Sequence, residues 1–511
     1  MSSALIRTSA GAVAALAAGL SAAAAVRAAR HVPARAFHST GPEGGGEVVI
    51  LPGRGGPPRL EPDPAARRTY AEHLAALIRH PTIAQPDHAG TDPAPFHALQ
   101  ATMRDLFPAL HDRLELERIG PHGTGLLFRW PGSDADLATE PLVLMAHQDV
   151  VPTEGQAWDV DPFAGVVTDG RVTGRGAIDD KGALLTILEA VEGLLARNFI
   201  PRRDVYLALG DCEETAGPTA AEMARLLRER SIRPWMVLDE GGAVVDGGVL
   251  PGVATPAAMI GVAERGILDV RLTTRDAGGH ASTPPRNGAT TRLARALVAI
   301  EKRPFPARLP EPALEMLATL GRHAPFGARL LYANVDVLAR PLAVALTRLG
   351  PETAAMARTT VAATRLTGSP AANVLATEAT AALNIRLAVG TTSADAVAHL
   401  RRAIADESVA VEVVDVTEPS PVSPTDDDRW GALEHLVAQV FPDAVATPYV
   451  QNGATDSRRF ATWCEHVYRF APLRMSDADR ARLHAANESV SVVTLAEGVD
   501  FMTRLIEEVA G

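Results

Sequence analysis

The chain has 511 residues, too many for one ordinary hydrophobic core, so two or more domains are expected. Apolar residues make up 47% and charged residues 22%, the balance of a globular protein in water. A net charge of −12 without a Lys/Arg-rich run argues against nucleic acid as a partner, and two cysteines, Cys212 and Cys464, exclude a disulfide framework or a Cys-rich zinc module.

Between Arg7 and Arg27 run 19 uncharged residues rich in Ala, Gly, Leu and Val. Such a run suits a secretory signal with small residues at Ala22 to Ala25, a single membrane anchor, or an Ala/Arg-rich leader. Arg27, Arg30 and Arg35 follow it, so the charge bias does not fix an orientation. Secretion or membrane anchoring is the expectation, with a cytoplasmic location as the alternative. Residues 38–66 are rich in Gly and Pro and read as a linker.

Tyr70, Leu74, Leu77 and Ile78 recur at helical spacing within 67–79. The runs 126–130 and 141–147 predict strands, and the second is continuously apolar, as in a strand buried on both faces of a parallel sheet. A helix over 182–197, a buried strand over 205–210, a helix over 219–230 and a strand over 235–240 follow. Strands alternating with helices predict an α/β unit with a mostly parallel sheet. From 266 the pattern changes to alternating strands at 266–274, 360–368, 379–389 and 409–416, with helices at 287–302 and 393–406. That set predicts a smaller α+β unit with an antiparallel sheet. Its Leu/Ala-rich, Pro-punctuated middle, 305–357, predicts amphipathic helix. After Pro421 the α/β character returns and ends in a helix over 493–509. The simplest division is an N-terminal segment and linker (1–66), an α/β domain in two parts (67–261 and 419–511), and an inserted α+β domain (262–418).

Most of the clustered His and acidic residues fall at predicted strand ends. AHQDVVP (146–152) puts His147 after a buried strand and Asp149 two residues on, where an extended stretch faces both the same way. Asp149 is then placed to orient the His147 ring toward a metal, although a strand-end His satisfied by its neighbours gives the same pattern. GRGAIDDKG (174–182) places Asp179 and Asp180 before a helix, where one can be an N-cap and the other a ligand. GDCEETAGP (210–218) holds Glu213 and Glu214, and two adjacent acids are costly unless a cation compensates. LDEGG (238–242) offers Asp239 or Glu240, and His484 stands alone near the C-terminus. Ligands of parallel α/β sheets bind outside the carboxyl ends of the strands, so these segments can converge. Oxygen and imidazole donors without thiolate suit zinc, with cobalt or manganese as alternatives. Five donors with one shared carboxylate predict a two-metal site, leaving one free Glu as a general base.

In order and spacing, the set AHQDVVP, GRGAIDDKG, CEE, LDEGG and LHAANE resembles the dizinc aminoacylase/carboxypeptidase family over about residues 67–511. WDVDPFAG, IPRRDVYLALG, PVSPTDD, GATDSRRF and the apolar insert resemble its carboxypeptidase S and N-fatty-acyl-amino-acid hydrolase branch. The resemblance implies a zinc-exopeptidase-like catalytic domain interrupted by a lid/dimerisation domain. It implies that Asp179 bridges two zinc ions, with His147 and Glu240 on one and Glu214 and His484 on the other. Glu213 is then the general base and Asp149 the residue that orients His147. In the lid, His280 of GGHASTPP is implied to polarise the scissile carbonyl, often in the partner subunit, and Asn373 and Arg386 to hold the substrate carboxylate. The implied reaction is cleavage of the amide bond of a peptide or N-acyl amino acid beside a free C-terminal amino acid. A dipeptidase, an N-fatty-acyl-amino-acid hydrolase or synthase, and an inactive metal-binding scaffold are the alternatives. One departure is Cys212, where many relatives carry Asp before the Glu pair. The implied partners are a small-molecule or short-peptide substrate, a bilayer through one N-terminal anchor, and a second copy through the lid.

Overall fold

The computed structural model describes residues 23–33 and 63–511. The expected signal or anchor up to residue 22 and most of the linker read over 38–66 lie outside the described residues, but its last residues, 63–66, open the helix Pro64–Ile78 instead, with Asp63 as the N-cap. A mixed 10-stranded sheet organises the larger part of the molecule. Its order is Glu115–Ile119, Gly125–Trp130, Val205–Gly210, Leu142–His147, Met236–Asp239, Val467–Arg469, Ala257–Glu264, Val244–Val245 and Arg474–Met475, with Val445–Gln451 also paired to Ala257–Glu264. The centre is parallel: Leu142–His147 runs parallel to both Val205–Gly210 and Met236–Asp239, and the latter runs parallel to Val467–Arg469. The strands Glu115–Ile119 and Gly125–Trp130 attach antiparallel at one edge.

The continuous apolar runs have a direct physical cause. In Leu142–His147 every residue is buried, and successive side chains enter different cores. Leu142, Leu144 and Ala146 join the main core, while Val143 and Met145 join a second cluster on the other face. Leu207 and Leu209 alternate with Tyr206 and Ala208 in the same way. The first core is closed by the helices Pro64–Ile78, Lys181–Ala196, Asp428–Val440 and Val492–Ala510. The second is closed by Thr219–Glu229 and by Phe460.

A separate four-stranded antiparallel sheet has the order Thr360–Thr367, Glu378–Leu387, Gly266–Arg275, Val409–Thr417. One face packs under the helices Ala289–Lys302 and Ser393–Ile404, through Leu268, Val270, Leu293, Ile300, Leu383 and Leu400. This is the α+β unit that the alternation predicts, with one face buried and the other wet. The stretch 305–357 is helical as predicted, in the pieces Glu311–Gly321, Phe326–Tyr332, Val335–Leu349 and Pro351–Ala357. Its buried residues, among them Met316, Leu317, Leu342 and Leu346, join the core of the large sheet and not that of the small one.

Candidate metal centre

Three strands bring their carboxyl ends to one edge. Leu142–His147 ends on His147, Val205–Gly210 leads into Glu213 and Glu214, and Met236–Asp239 leads into Glu240. Because the three are neighbours and parallel, their following residues meet over a single crevice. The loop before the helix Lys181–Ala196 carries Asp179 into the same place.

Asp179 is the hub. His147 Nε2 lies 3.0 Å from Asp179 Oδ1, and His484 Nε2 lies 3.0 Å from Asp179 Oδ2. His484 Nε2 is also 3.2 Å from Glu214 Oε2. Each oxygen of one carboxylate thus faces its own imidazole. Burial alone would raise the Asp179 carboxyl, but the contacts from His147 and then His484 hold it below its ordinary value. The same contacts, Asp179 first and Glu214 second, push His484 up to about 10. His484 is exposed and sits in the left-handed region, at φ 60°. Strain of that kind concentrates at functional sites.

Around this hub lies an excess of buried acid. Burial first, and then Asp456, Asp179 and Glu214, hold the Glu213 carboxyl well above its usual range despite the opposing pull of His147. Burial and then Asp179, Asp180 and Glu213 do the same to Glu240. Asp456 is pushed up to about 7, chiefly by burial and next by Asp239 and Asp149. Glu214 Oε1 is buried with no hydrogen-bond partner. His147, Asp179 and Glu214 bring one donor atom each within 4.8 Å of one another. An orphaned buried carboxylate oxygen, clustered oxygen and imidazole donors, and uncompensated negative charge are the features that divalent cations satisfy, so the residues fit a metal centre.

The supporting shell is well defined. Asp149 is wholly buried, and its two oxygens accept the backbone N–H groups of Glu213 and Glu214, both at 3.1 Å. Its carbonyl oxygen lies 3.0 Å from His147 Nδ1 and its carboxylate 3.3 Å from the same atom. Asp149 therefore positions the Glu pair as well as the ring. Asp180 is at the N-cap position but makes no side-chain cap; its Oδ2 accepts the His147 backbone N–H at 3.0 Å. Asp239 has both oxygens engaged, by the N–H of Glu240 at 2.9 Å and of Ser457 at 2.7 Å, which leaves Glu240 as the free acid of LDEGG. Cys212 is buried against Thr219, 3.3 Å away, and burial holds its thiol far above the ordinary range, so no thiolate stands beside Glu213.

The lid residues are placed differently. His280 and Asn373 are exposed and adjacent on a two-stranded ribbon, Gly279–His280 with Val374–Leu375, where the Ala281 N–H donates to the Asn373 carbonyl at 3.0 Å. The His280 ring bonds Ser282 at 2.7 Å and not the acidic cluster. Arg386 is half-buried on Glu378–Leu387, near Asp269 and Arg458.

Two positions went unassigned at the level of sequence. Glu488 is wholly buried, and its Oε1 accepts from the N–H of Ile178 at 2.7 Å and of Asp179 at 3.1 Å. Its Oε2 accepts from Arg175 Nη1 at 2.7 Å and from the Gly176 N–H at 3.1 Å. It thereby ties the Asp179 loop to the segment that carries His484, which Gln156 also holds by donating to the His484 carbonyl at 2.8 Å. Asp456 is the other. The signals were in view, an acid four residues after His484 and another in GATDSRRF, but neither adjoins a predicted strand end on the near side of the sheet.

A sequence model described as Peptidase family M20/M25/M40 matches residues 143–508. A probable carboxypeptidase S-like 2 of Dictyostelium discoideum is 34% identical over 405 residues, 78% of this chain and 77% of that protein. An N-fatty-acyl-amino acid synthase/hydrolase of Homo sapiens is 35% identical over 385 residues, 75% of this chain and 76% of that protein. Among solved structures, an M20 family metallo-carboxypeptidase from Sulfolobus solfataricus superposes with a TM-score of 0.61 at 16% identity, covering 86% of this chain and 98% of that one.

Proposed function

This chain belongs to peptidase family M20/M25/M40, and on that premise we propose that it is a dizinc hydrolase of the amide bond beside a free C-terminal amino acid, in peptides or N-acyl amino acids. The observation that carries the reading is the pair of imidazoles, each 3.0 Å from a different oxygen of Asp179, with Glu213 left unbonded beside them. In this reading Asp179 would be shared by the two ions, His147 and Glu240 would hold one, and Glu214 and His484 would hold the other. Zinc held by such donors supplies Lewis acidity toward a carbonyl and toward water. Glu213 takes the proton of the attacking water and passes it to the leaving nitrogen. Asp149 fixes the loop from which Glu213 projects, so the base and the ligand Glu214 move as one unit.

We read 67–261 with 419–511 as the catalytic domain and 262–418 as the lid/dimerisation domain, except that the helices of 305–357 pack into the catalytic core. Arg386 suits the substrate carboxylate because a guanidinium matches it with two parallel hydrogen bonds, and Asn373 adds an amide donor. His280 lies on the exposed ribbon with an unbonded Nε2, and it is read as the oxyanion donor, delivered by lid closure or by a second copy. The relatives named above support both carboxypeptidase and N-fatty-acyl-amino-acid chemistry, so the acyl side is the variable to test. Export or membrane attachment is read from the uncharged run before Arg27.

The test combines metal analysis with a substrate panel that varies the acyl chain and the amino acid separately. Two equivalents of zinc, with turnover lost on chelation and restored by zinc, are expected. Glu213→Gln is expected to lower kcat by about 10²–10⁴ with zinc retained. Zinc bound without turnover across the panel would overturn the enzyme reading, and loss of zinc from the Gln variant would show that the two glutamates have exchanged roles.

A further inference from the structure

The helices Phe326–Tyr332 and Val335–Leu349 meet at 96°. Together they are long and apolar enough for a membrane segment, but no single described helix is, and the bend denies this pair a straight crossing. Their inner residues, such as Leu342 and Leu346, are spent on the core of the large sheet. Their outer residues are apolar as well: Phe326, Leu330, Leu331, Val337, Val344 and Leu349 are exposed, Val337 by 69% and Leu349 by 65%. On Val335–Leu349, Val337, Pro341 and Val344 fall at helical spacing along one solvent-facing stripe. A patch of this kind on a water-exposed surface marks an interaction site.

Charge and chain path say what covers it. Residues 326–349 carry Arg329, Arg340 and Arg348 against one acid, Asp336, whereas the whole chain carries a net −12. Asp336 is itself engaged by Arg27 at 3.0 Å. Arg27 belongs to the helical segment 23–30, which is seated on this insert by the buried Ala28, by Asn334 donating to the Ala24 carbonyl at 3.3 Å, and by His31 Nε2 at 2.6 Å from the Ala318 carbonyl. The described end of the uncharged run, residues 23–26, therefore lies at the edge of the apolar stripe. An apolar stripe with arginines beside it, on an otherwise acidic protein and next to an apolar N-terminal run, is the composition of a helix lying in a lipid interface.

We propose that the outer face of Phe326–Tyr332 and Val335–Leu349 rests on a bilayer surface bearing anionic headgroups, lying in the interface without crossing it. This goes beyond the hydrolase reading and does not depend on it. The contact is additional to any made by the N-terminal run, because it is built from residues more than half the chain away.

Cys212 and Cys464 are both buried, so a single added surface cysteine takes a label cleanly. The full chain is labelled with an environment-sensitive fluorophore at Val344→Cys, at Leu349→Cys, or at a control, Val413→Cys, which is exposed on the small sheet. Each is mixed with phosphatidylcholine/phosphatidylglycerol vesicles carrying brominated acyl chains. A blue shift and quenching at 344 and 349 but not at 413, weakening at least threefold without phosphatidylglycerol, is expected. No quenching at 344 and 349, or equal quenching at all three positions, overturns the proposal. So does burial of the 344 label in a dimer formed without lipid, which would make a second copy the occupant. Equal quenching in pure phosphatidylcholine overturns the anionic requirement.

Discussion

Replacing Glu488 by Gln tests whether the metal loop is held by one buried carboxylate. Each Glu488 oxygen has two donors, Ile178 and Asp179 N–H on one and Arg175 and Gly176 N–H on the other. Gln presents one oxygen and one NH₂, so in either orientation two of the four donors lose their acceptor and face another donor. Hydrogen bonds to a charged group are worth about 1.5–3 kcal/mol each. Breaking one partner of a buried ion pair costs about 3–5 kcal/mol, because Arg175 stays buried without a counter-charge. The two routes give losses of about 3–6 and 3–5 kcal/mol, a large part of the 5–15 kcal/mol typical of a native protein. The assay is urea unfolding of the zinc-loaded Glu488→Gln protein beside its parent, with zinc content measured on the same samples. Zinc affinity is expected to fall too, because the four bonds hold the Asp179 loop against the segment bearing His484. An unfolding free energy within about 1 kcal/mol of the parent, with full zinc retention, would refute the reasoning.

Stripping the metal is expected to invert the usual acid sensitivity. Asp456 is held at about 7, and Glu213 and Glu240 stand well above the usual carboxylate range, so each contributes stability below its unfolded value near 4 that is lost as pH rises through the folded value. The metal-free chain should therefore unfold at higher urea at pH 5.5 than at pH 8, and a lower midpoint at pH 5.5 would sink the account. Phe501 is wholly buried, with ring centroids 5.3 Å from Phe470 and 6.3 Å from Phe441; Phe501→Ala should cost about 3–5 kcal/mol in urea unfolding, and a cost below about 1 kcal/mol would show that the site collapses freely. Burial pushes the Cys464 thiol up to about 11 and Cys212 further, so neither should react with a thiol reagent at pH 8 in the native state, and both should react in urea. Fast labelling of the native chain would count against the packing described.

What could be read from the chain without its structure follows from where the physics is local. His147, Glu214 and Glu240 adjoin short apolar strands whose two-sided burial is visible as uninterrupted Leu, Val and Ala, so their meeting follows from parallel pairing alone. His484 offered no such cue; the structure brings it to Asp179 because its segment is strapped to 174–179 by Glu488. The double duty of Asp149 was half visible: its proximity to His147 follows from an i, i+2 relation, but its grip on the Glu213 and Glu214 N–H groups depends on a neighbouring strand. Asp180 lacks the capping bond its position suggested, because the His147 N–H competes for it. The strands Ala257–Glu264 and Val467–Arg469 carry little sequence signal, because the first sits at the junction of the two units and the second has only three residues. The attachment of 305–357 to the larger core was also invisible, because amphipathic spacing shows that a helix has an inner face but not which core receives it.

The place of Val467–Arg469 in the large sheet has a consequence for biogenesis. This strand is wedged between Met236–Asp239 and Ala257–Glu264, so two strands made early wait with facing edges until a strand made late arrives. His484 reaches Asp179 later still in the order of synthesis. A ribosome-bound chain therefore carries most of the acidic residues of the centre without the imidazole and the strap that finish it. On the proposed ligand set, hydrolytic competence is acquired as the last step of manufacture, when the C-terminal segment closes the sheet and delivers His484, and a prematurely terminated product would be both open-edged and inert.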